Sequence, residues 1–282
     1  MQTQHSQFGD DPAVDQVPGL EAVEMMLSSH ISALCAARDA APQIVEASSL
    51  VAQSLRSGLT VHYAAAGSSG LMALADACEL PGTFQVPESQ INIFMAGGIP
   101  ADARMPGDTE DSVEEAIAAA GSVAPGDVAL VVSASGTTPY ALAFARAASA
   151  RKARVIAISN VAGSELLQVS DVPIAIATEA EVVGGSTRLG AGTAQKAVLN
   201  MISTQAGVLL GHVYNGMMVN LNPDNTKLRH RAAGIVSRIA GVSESDAKHA
   251  LQLTGYNVKR ASLVASGLTV SESGCLLKQN DG

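Results

Sequence analysis

Aromatic residues make up 3% of the 282-residue chain, and tryptophan is absent. A core with few large rings must be closed mainly by small and β-branched side chains, which suits a buried parallel sheet covered by alanine-rich helices. Basic runs are missing too: 17 Lys and Arg stand against 26 Asp and Glu, a net charge of −9. Nucleic-acid binding normally needs a Lys/Arg stripe, so no nucleic-acid partner is expected. Cysteine is scarce. Cys35, Cys78 and Cys275 are odd in number and show no C-x-x-C spacing, and the N-terminal residues lack the charged start and apolar core of a signal peptide, so a reducing cytoplasm is the expected compartment. The most apolar long stretch, 191–211, carries Gln195, Lys196, Asn200, Ser203 and Gln205. That is too polar for a span of about 20 apolar residues, so no membrane association is expected. The six histidines are dispersed, with no HxH or HExxH spacing, and no metal site is expected.

What is present is alternation. Residues 1–20 are polar and aperiodic in their first part and read as a mobile segment. Glu21 to Arg56 carries apolar residues at helical spacing, broken near Ala41-Pro42, which predicts two helices. Strands are then predicted at 59–66, 91–96, 127–133, 154–159 and 173–177, alternating with helices at 69–78, 111–120 and 139–150. That pattern implies βαβ units and a mostly parallel sheet. A helix from Ala191 reads as buried, its small residues compatible with close helix packing in a core or at a subunit interface. A further helix covers 224–240. Ser243 is placed as an N-cap, and helical stretches at 247–253 and 258–265 follow, in a small three-helix module that is incomplete or frayed after Ser271. The chain thus divides into 1–20, a main domain at 21–240 and a tail module at 241–282.

Two short segments carry the chemistry. Ala66-Gly67-Ser68-Ser69-Gly70 and Ser133-Ala134-Ser135-Gly136-Thr137-Thr138-Pro139 each follow a strand and open a helix. Hydroxyls and backbone N–H groups gathered at such a turn suit a phosphate monoester. In open α/β sheets ligands sit beyond the carboxyl ends of the strands, where both segments fall. The GxSxG elbow, the P-loop lysine and the dinucleotide fingerprint are all lacking, so the serines bind rather than attack. Glu79, before Leu80-Pro81-Gly82, reads either as a surface turn residue or as an acid at the pocket mouth. Glu110, beside Asp111 and Ser112, reads either as a helix-start acid or as a second pocket carboxylate. Such a pair can divide acid and base roles, in glycoside hydrolysis or in elimination next to a carbonyl. The polar run 181–196, with Ser186, Arg188 and Lys196, is read either as a capped helix start or as the third wall of the pocket.

These segments, together with Asp76-Ala77-Cys78-Glu79, Ala96-Gly97-Gly98, Glu110-Asp111-Ser112 and Ser186-Thr187-Arg188 through Lys196, resemble in order the sugar isomerase (SIS) domain family. Within it, they resemble the N-acetylmuramic acid 6-phosphate etherases. The resemblance implies a three-layer, flavodoxin-like α/β/α domain with a small UBA-like helical tail, acting as a homodimer on a phosphorylated amino sugar without metal or organic cofactor. It implies loss of D-lactate from the ring-opened sugar. Glu110 falls at the position of the base that removes the C2 proton, and Glu79 at that of the proton donor. Ser68, Ser69, Ser133, Ser135 and Thr138 would hold phosphate and sugar hydroxyls. The chain departs from the family pattern where basic residues are common, at Leu71, Thr137 and Gly190. A non-catalytic sugar-phosphate sensor and an aldose–ketose isomerase are the alternatives, and retention of both glutamates favours the enzyme.

Overall fold

The computed structural model describes residues 13–105 and 107–280. The predicted N-terminal segment therefore lies largely outside the described residues. In chain order the elements are α1 (Gly19–Ala36), α2 (Ala41–Arg56), β1 (Val61–Ala65), α3 (Gly67–Ala77), α4 (Leu80–Phe84), β2 (Ile91–Met95), α5 (Val113–Ala119), β3 (Val128–Ser133) and α6 (Pro139–Ala150). They continue with β4 (Arg154–Ser159), α7 (Glu165–Gln168), β5 (Val172–Ala175), α8 (Gly190–Leu209), β6 (Val213–Tyr214), β7 (Met217–Met218), α9 (Thr226–Ala240), α10 (Glu244–Leu253), α11 (Val258–Ala265) and α12 (Val270–Gln279). The described residues form two compact units, one from 13–77 and 89–203, the other from 78–88 and 204–280. Among the described residues, no helix is long and apolar enough to cross a membrane.

The first unit holds a five-stranded, all-parallel sheet of order β2-β1-β3-β4-β5. This is a doubly wound arrangement whose strand order reverses between β1 and β3. Every residue of β3 is buried, as a parallel strand covered on both faces requires. Ala64, Ala129, Val131, Val155 and Ala157 meet Ala116 of α5, Tyr140, Ala141 and Phe144 of α6, and Leu166 of α7 in one apolar cluster. The alternate residues Tyr63, Leu130, Ile156 and Ile158 point the other way and are also fully buried. On that face α2 and α3 pack on the sheet. Full burial of each such Leu or Ile contributes about 1.5–3 kcal/mol. Alanines at the helix–sheet contacts let the layers approach closely, which is how the core closes with few rings; Phe94 and Phe144 pair at 5.4 Å.

At the amino ends of the strands, His62 and Asp127 are almost completely buried and joined, His62 Nε2 to Asp127 Oδ2, at 2.8 Å. Asp127 also accepts the Thr60 amide at 3.0 Å and the Ala124 amide at 2.8 Å. Burial by itself pushes this carboxyl up, but the bonds from His62 and the two amides outweigh it and hold it below the usual range. A depressed folded-state value adds stability that is in full force above the unfolded value of about 4 and is lost as pH falls through the folded one. Asp127→Asn is therefore expected to lower stability at pH 7 and to flatten the acid limb of the stability curve, as read by urea melts across acidic pH. An unchanged acid limb would refute this role.

The second unit is helical. The segment Leu80–Gln85 is tied to residues 220–222 by the Asn222 amide to Gly82 O, Asn220 Nδ2 to Phe84 O and Gln85 Nε2 to Leu221 O. A core of Ala232, Ala233, Val236, Ala247, Leu251, Val258 and Ala261 joins α9, α10 and α11. Side-chain caps start α9, α10, α11 and α12: Asn225, Ser243, Asn257 and Thr269 accept from the amide three residues on. The expectation that the tail frays after Ser271 is corrected here. Thr269 and Glu272 form a reciprocal capping box, and α12 runs on to Gln279, because two otherwise unpaired amides are satisfied at its start.

Candidate functional site

The β1–α3 and β3–α6 turns leave adjacent strands at matched positions, Ala65 opposite Val132, on the carboxyl side of the point where the strand order reverses. In an open α/β sheet this is where a crevice forms and ligands bind. In the first turn, Gly67 opens α3 at φ +53°, Ser68 and Ser69 follow, and Ser69 is 5% exposed. Gly70 is held by packing: a side chain there would meet Met95 of β2 at 2.9–3.0 Å.

In the second turn, Ser133 Oγ lies 2.8 Å from Thr138 Oγ1 and accepts the Gly136 amide at 3.1 Å. Ser135 Oγ lies 3.5 Å from Ser133 Oγ and accepts the Thr137 amide and hydroxyl. Three of the expected binding residues thus form one hydroxyl cluster at the start of α6, where Pro139 fits the first helical turn. Gly136, at φ +65°, leaves no room for a side chain against Ser159 and Ser164.

Glu110 sits in a 3-10 turn, Thr109–Asp111, ahead of α5, whose N-cap is Ser112. Its carboxylate lies against Gly67, in the place a Cβ would take. The loop after β2 therefore carries Glu110 back onto the turn that holds Ser68 and Ser69. Tyr140, at the start of α6, is not a competing base at neutral pH. Burial and then the charge of Glu115 push its phenol up to about 12.

Lys196, on α8, lies 4.0 Å from the buried Asp76 of α3. Ser186 and Arg188 lie in the loop before α8, Arg188 exposed. Among the described residues, no hydrogen bond or ion pair joins either to the two serine turns. Glu79 belongs to the second unit, immediately before α4 and exposed, its carbonyl accepting the Thr83 amide at 3.0 Å. A cavity of about 690 Å³ also opens in the second unit, bordered by Lys259 and Arg260; none of the expected site residues lines it.

Glu181 escaped the sequence reading. Its two carboxylate oxygens accept the Gly190 and Ala191 amides, each at 2.9 Å, and so cap α8. A side chain at Gly190 would lie 3.2 Å from Glu181 Oε2 and 3.3 Å from the Ala33 Cβ. Asp76 is the second such residue, part of a recognised motif yet given no role, since only the fold shows what surrounds it.

Residues 29–160 match the family described as SIS domain. The chain is 40% identical over 249 residues to the N-acetylmuramic acid 6-phosphate etherase of Symbiobacterium thermophilum, covering 88% of this chain and 83% of that one. It is 39% identical over 251 residues to N-acetylmuramic acid 6-phosphate etherase 2 of Bacillus licheniformis, with 88% and 84% covered. A phosphoheptose isomerase from Francisella tularensis superposes with a TM-score of 0.51 at 17% identity, over 68% of this chain and 100% of that one, a likeness of fold. With the parallel sheet, the paired serine turns and these relatives together, the chain belongs to the N-acetylmuramic acid 6-phosphate etherase family.

Proposed function

We propose that the chain cleaves the D-lactyl ether of N-acetylmuramic acid 6-phosphate, giving N-acetylglucosamine 6-phosphate and D-lactate. The observation that carries this reading is the seating of the Glu110 carboxylate on the Ser68–Ser69 turn, within a chain of this family. The serine turns and Lys196 hold the phosphate and sugar hydroxyls, with Ser186 and Arg188 as further binding residues. The ring opens to the C1 aldehyde, which acidifies the C2 proton. Glu110 takes that proton, the C2 electron pair forms the C2–C3 double bond, and the C3–O bond breaks as Glu79 gives its proton to the departing lactate oxygen. Water then adds, its oxygen to C3 and a proton to C2, and both carboxyls regain their starting states. No metal or organic cofactor enters this sequence. The test is stoichiometric D-lactate formation from the substrate by the purified chain. Sugar-phosphate binding without lactate would instead make it a sensor, and aldose–ketose conversion without lactate an isomerase.

A homodimer is part of the same proposal. The sequence directed attention to the helix from Ala191, but the more continuous apolar face is on α1: Leu20, Val23, Leu27, Ile31 and Leu34 are 74, 56, 57, 53 and 42% exposed. Their spacing of three and four residues makes one self-complementary stripe, suited to the same helix of a second copy. Leu27→Asp is expected to convert a dimer into a folded monomer in sedimentation at micromolar concentration. A parent chain that is already monomeric would overturn this.

A further inference from the structure

We infer that Asp76 is the positioning residue for Lys196, an inference that rests on the phosphosugar reading of the site. Asp76 is 1% exposed in the last turn of α3. Its Oδ1 accepts Asn200 Nδ2 at 2.7 Å and Ser203 Oγ at 3.0 Å and lies 4.0 Å from Lys196 Nζ, while Oδ2 accepts the Tyr63 hydroxyl at 3.1 Å. Lys196, Asn200 and Ser203 fall at i, i+4 and i+7, on one face of α8. One carboxylate therefore gathers three side chains of α8 and one of β1.

A charge in such a place is costly unless paired and hydrogen-bonded, and well-packed apolar residues commonly do as well for stability alone. What this charge adds is orientation. The Lys196 side chain is 25% exposed and that of Asp76 1%, so a partly buried lysine carries its ammonium beside a fully buried carboxylate. The two helices that Asp76 links are also those that begin in the Ser68–Ser69 turn and directly after the Ser186–Arg188 loop. Fixing α3 against α8 fixes both starts. Burial is the largest effect on the Asp76 carboxyl and raises it above the usual range, although the bond from Ser203, the charge of Lys196 and the bonds from Tyr63 and Asn200 oppose that.

The test compares the full-length parent with Asp76→Asn, Lys196→Met and the double variant. The readouts are kcat and KM for lactate release, calorimetric Kd for N-acetylglucosamine 6-phosphate, and Tm. In Asp76→Asn, KM and Kd are expected to rise about tenfold with kcat within about threefold, and the double variant to bind no worse than Lys196→Met alone. Additive losses, or a fall in kcat and Tm with Kd unchanged, would overturn the inference. If Asp76→Asn folds poorly, Asn200→Ala, which removes one donor to Asp76, is expected to raise Kd in the same direction, and an unchanged Kd overturns the inference. The Kd comparison decides the role of Asp76 even if the chain binds the sugar phosphate without releasing lactate, so the two readings fail separately.

Discussion

Glu110→Gln is expected to lower kcat for D-lactate release about 10²–10⁴-fold, the range for loss of a positioned general base. The substitution keeps the shape of a side chain that lies against Gly67 and removes only its ability to take a proton. Stability and sugar-phosphate binding should stay close to those of the parent. Glu79→Gln should cost lactate release on the same scale, and because Glu79 is exposed its replacement should shift stability by no more than about 0.5 kcal/mol. The two variants separate in D₂O. With the acid removed and the base intact, Glu79→Gln should still exchange the C2 hydrogen of unreacted substrate with solvent, whereas Glu110→Gln should not. Exchange persisting in Glu110→Gln would assign the base elsewhere.

Gly67→Ala should have the next largest effect, although it touches neither glutamate's chemistry. At φ +53° a Cβ costs about 1–2 kcal/mol, and here it would also occupy the space of the Glu110 carboxylate. The side chain can swing away, so the fold should survive with a lowered Tm, but the carboxylate would leave its place on the serine turn. A displacement of about 1 Å is enough to cost on the order of 10²-fold in rate. Gly70→Ala is the control. It presses on Met95, so it should lower Tm while leaving kcat much less affected. Equal rates for Gly67→Ala and the parent would mean that the position of Glu110 seen here is not the working one.

Local signals carried much of the fold. Pro139 and the Ala- and Leu-rich run after it define α6, and β4 and α11 fall on their predicted residues, because each is a strongly apolar or clearly capped segment. Other elements needed finer reading. α5 starts at Val113 rather than Asp111 because Ser112 is its cap and the three residues before it form a 3-10 turn. Asn215-Gly216, both at positive φ, make the hairpin joining β6 and β7, a signal present in the sequence but flanked by strands of two residues, too short to show periodicity. Pro81, taken as turn punctuation, instead fits the first turn of α4.

The candidate site was legible in its geometry where its residues are adjacent in sequence. Ser133, Ser135 and Thr138 form their cluster within one turn. It was not legible where the contact is long-range. Nothing local announces that Asp76 meets Asn200 and Ser203, or that Gly67 makes room for Glu110.

The most direct measurement of elimination followed by hydration is turnover in H₂¹⁸O with mass analysis of both products. Breaking the C3–O bond leaves the ether oxygen on lactate, so the label is expected at C3 of N-acetylglucosamine 6-phosphate and not in the D-lactate hydroxyl. Label in the lactate hydroxyl with none at C3 would place cleavage at the lactyl carbon and contradict the proposed roles of Glu110 and Glu79.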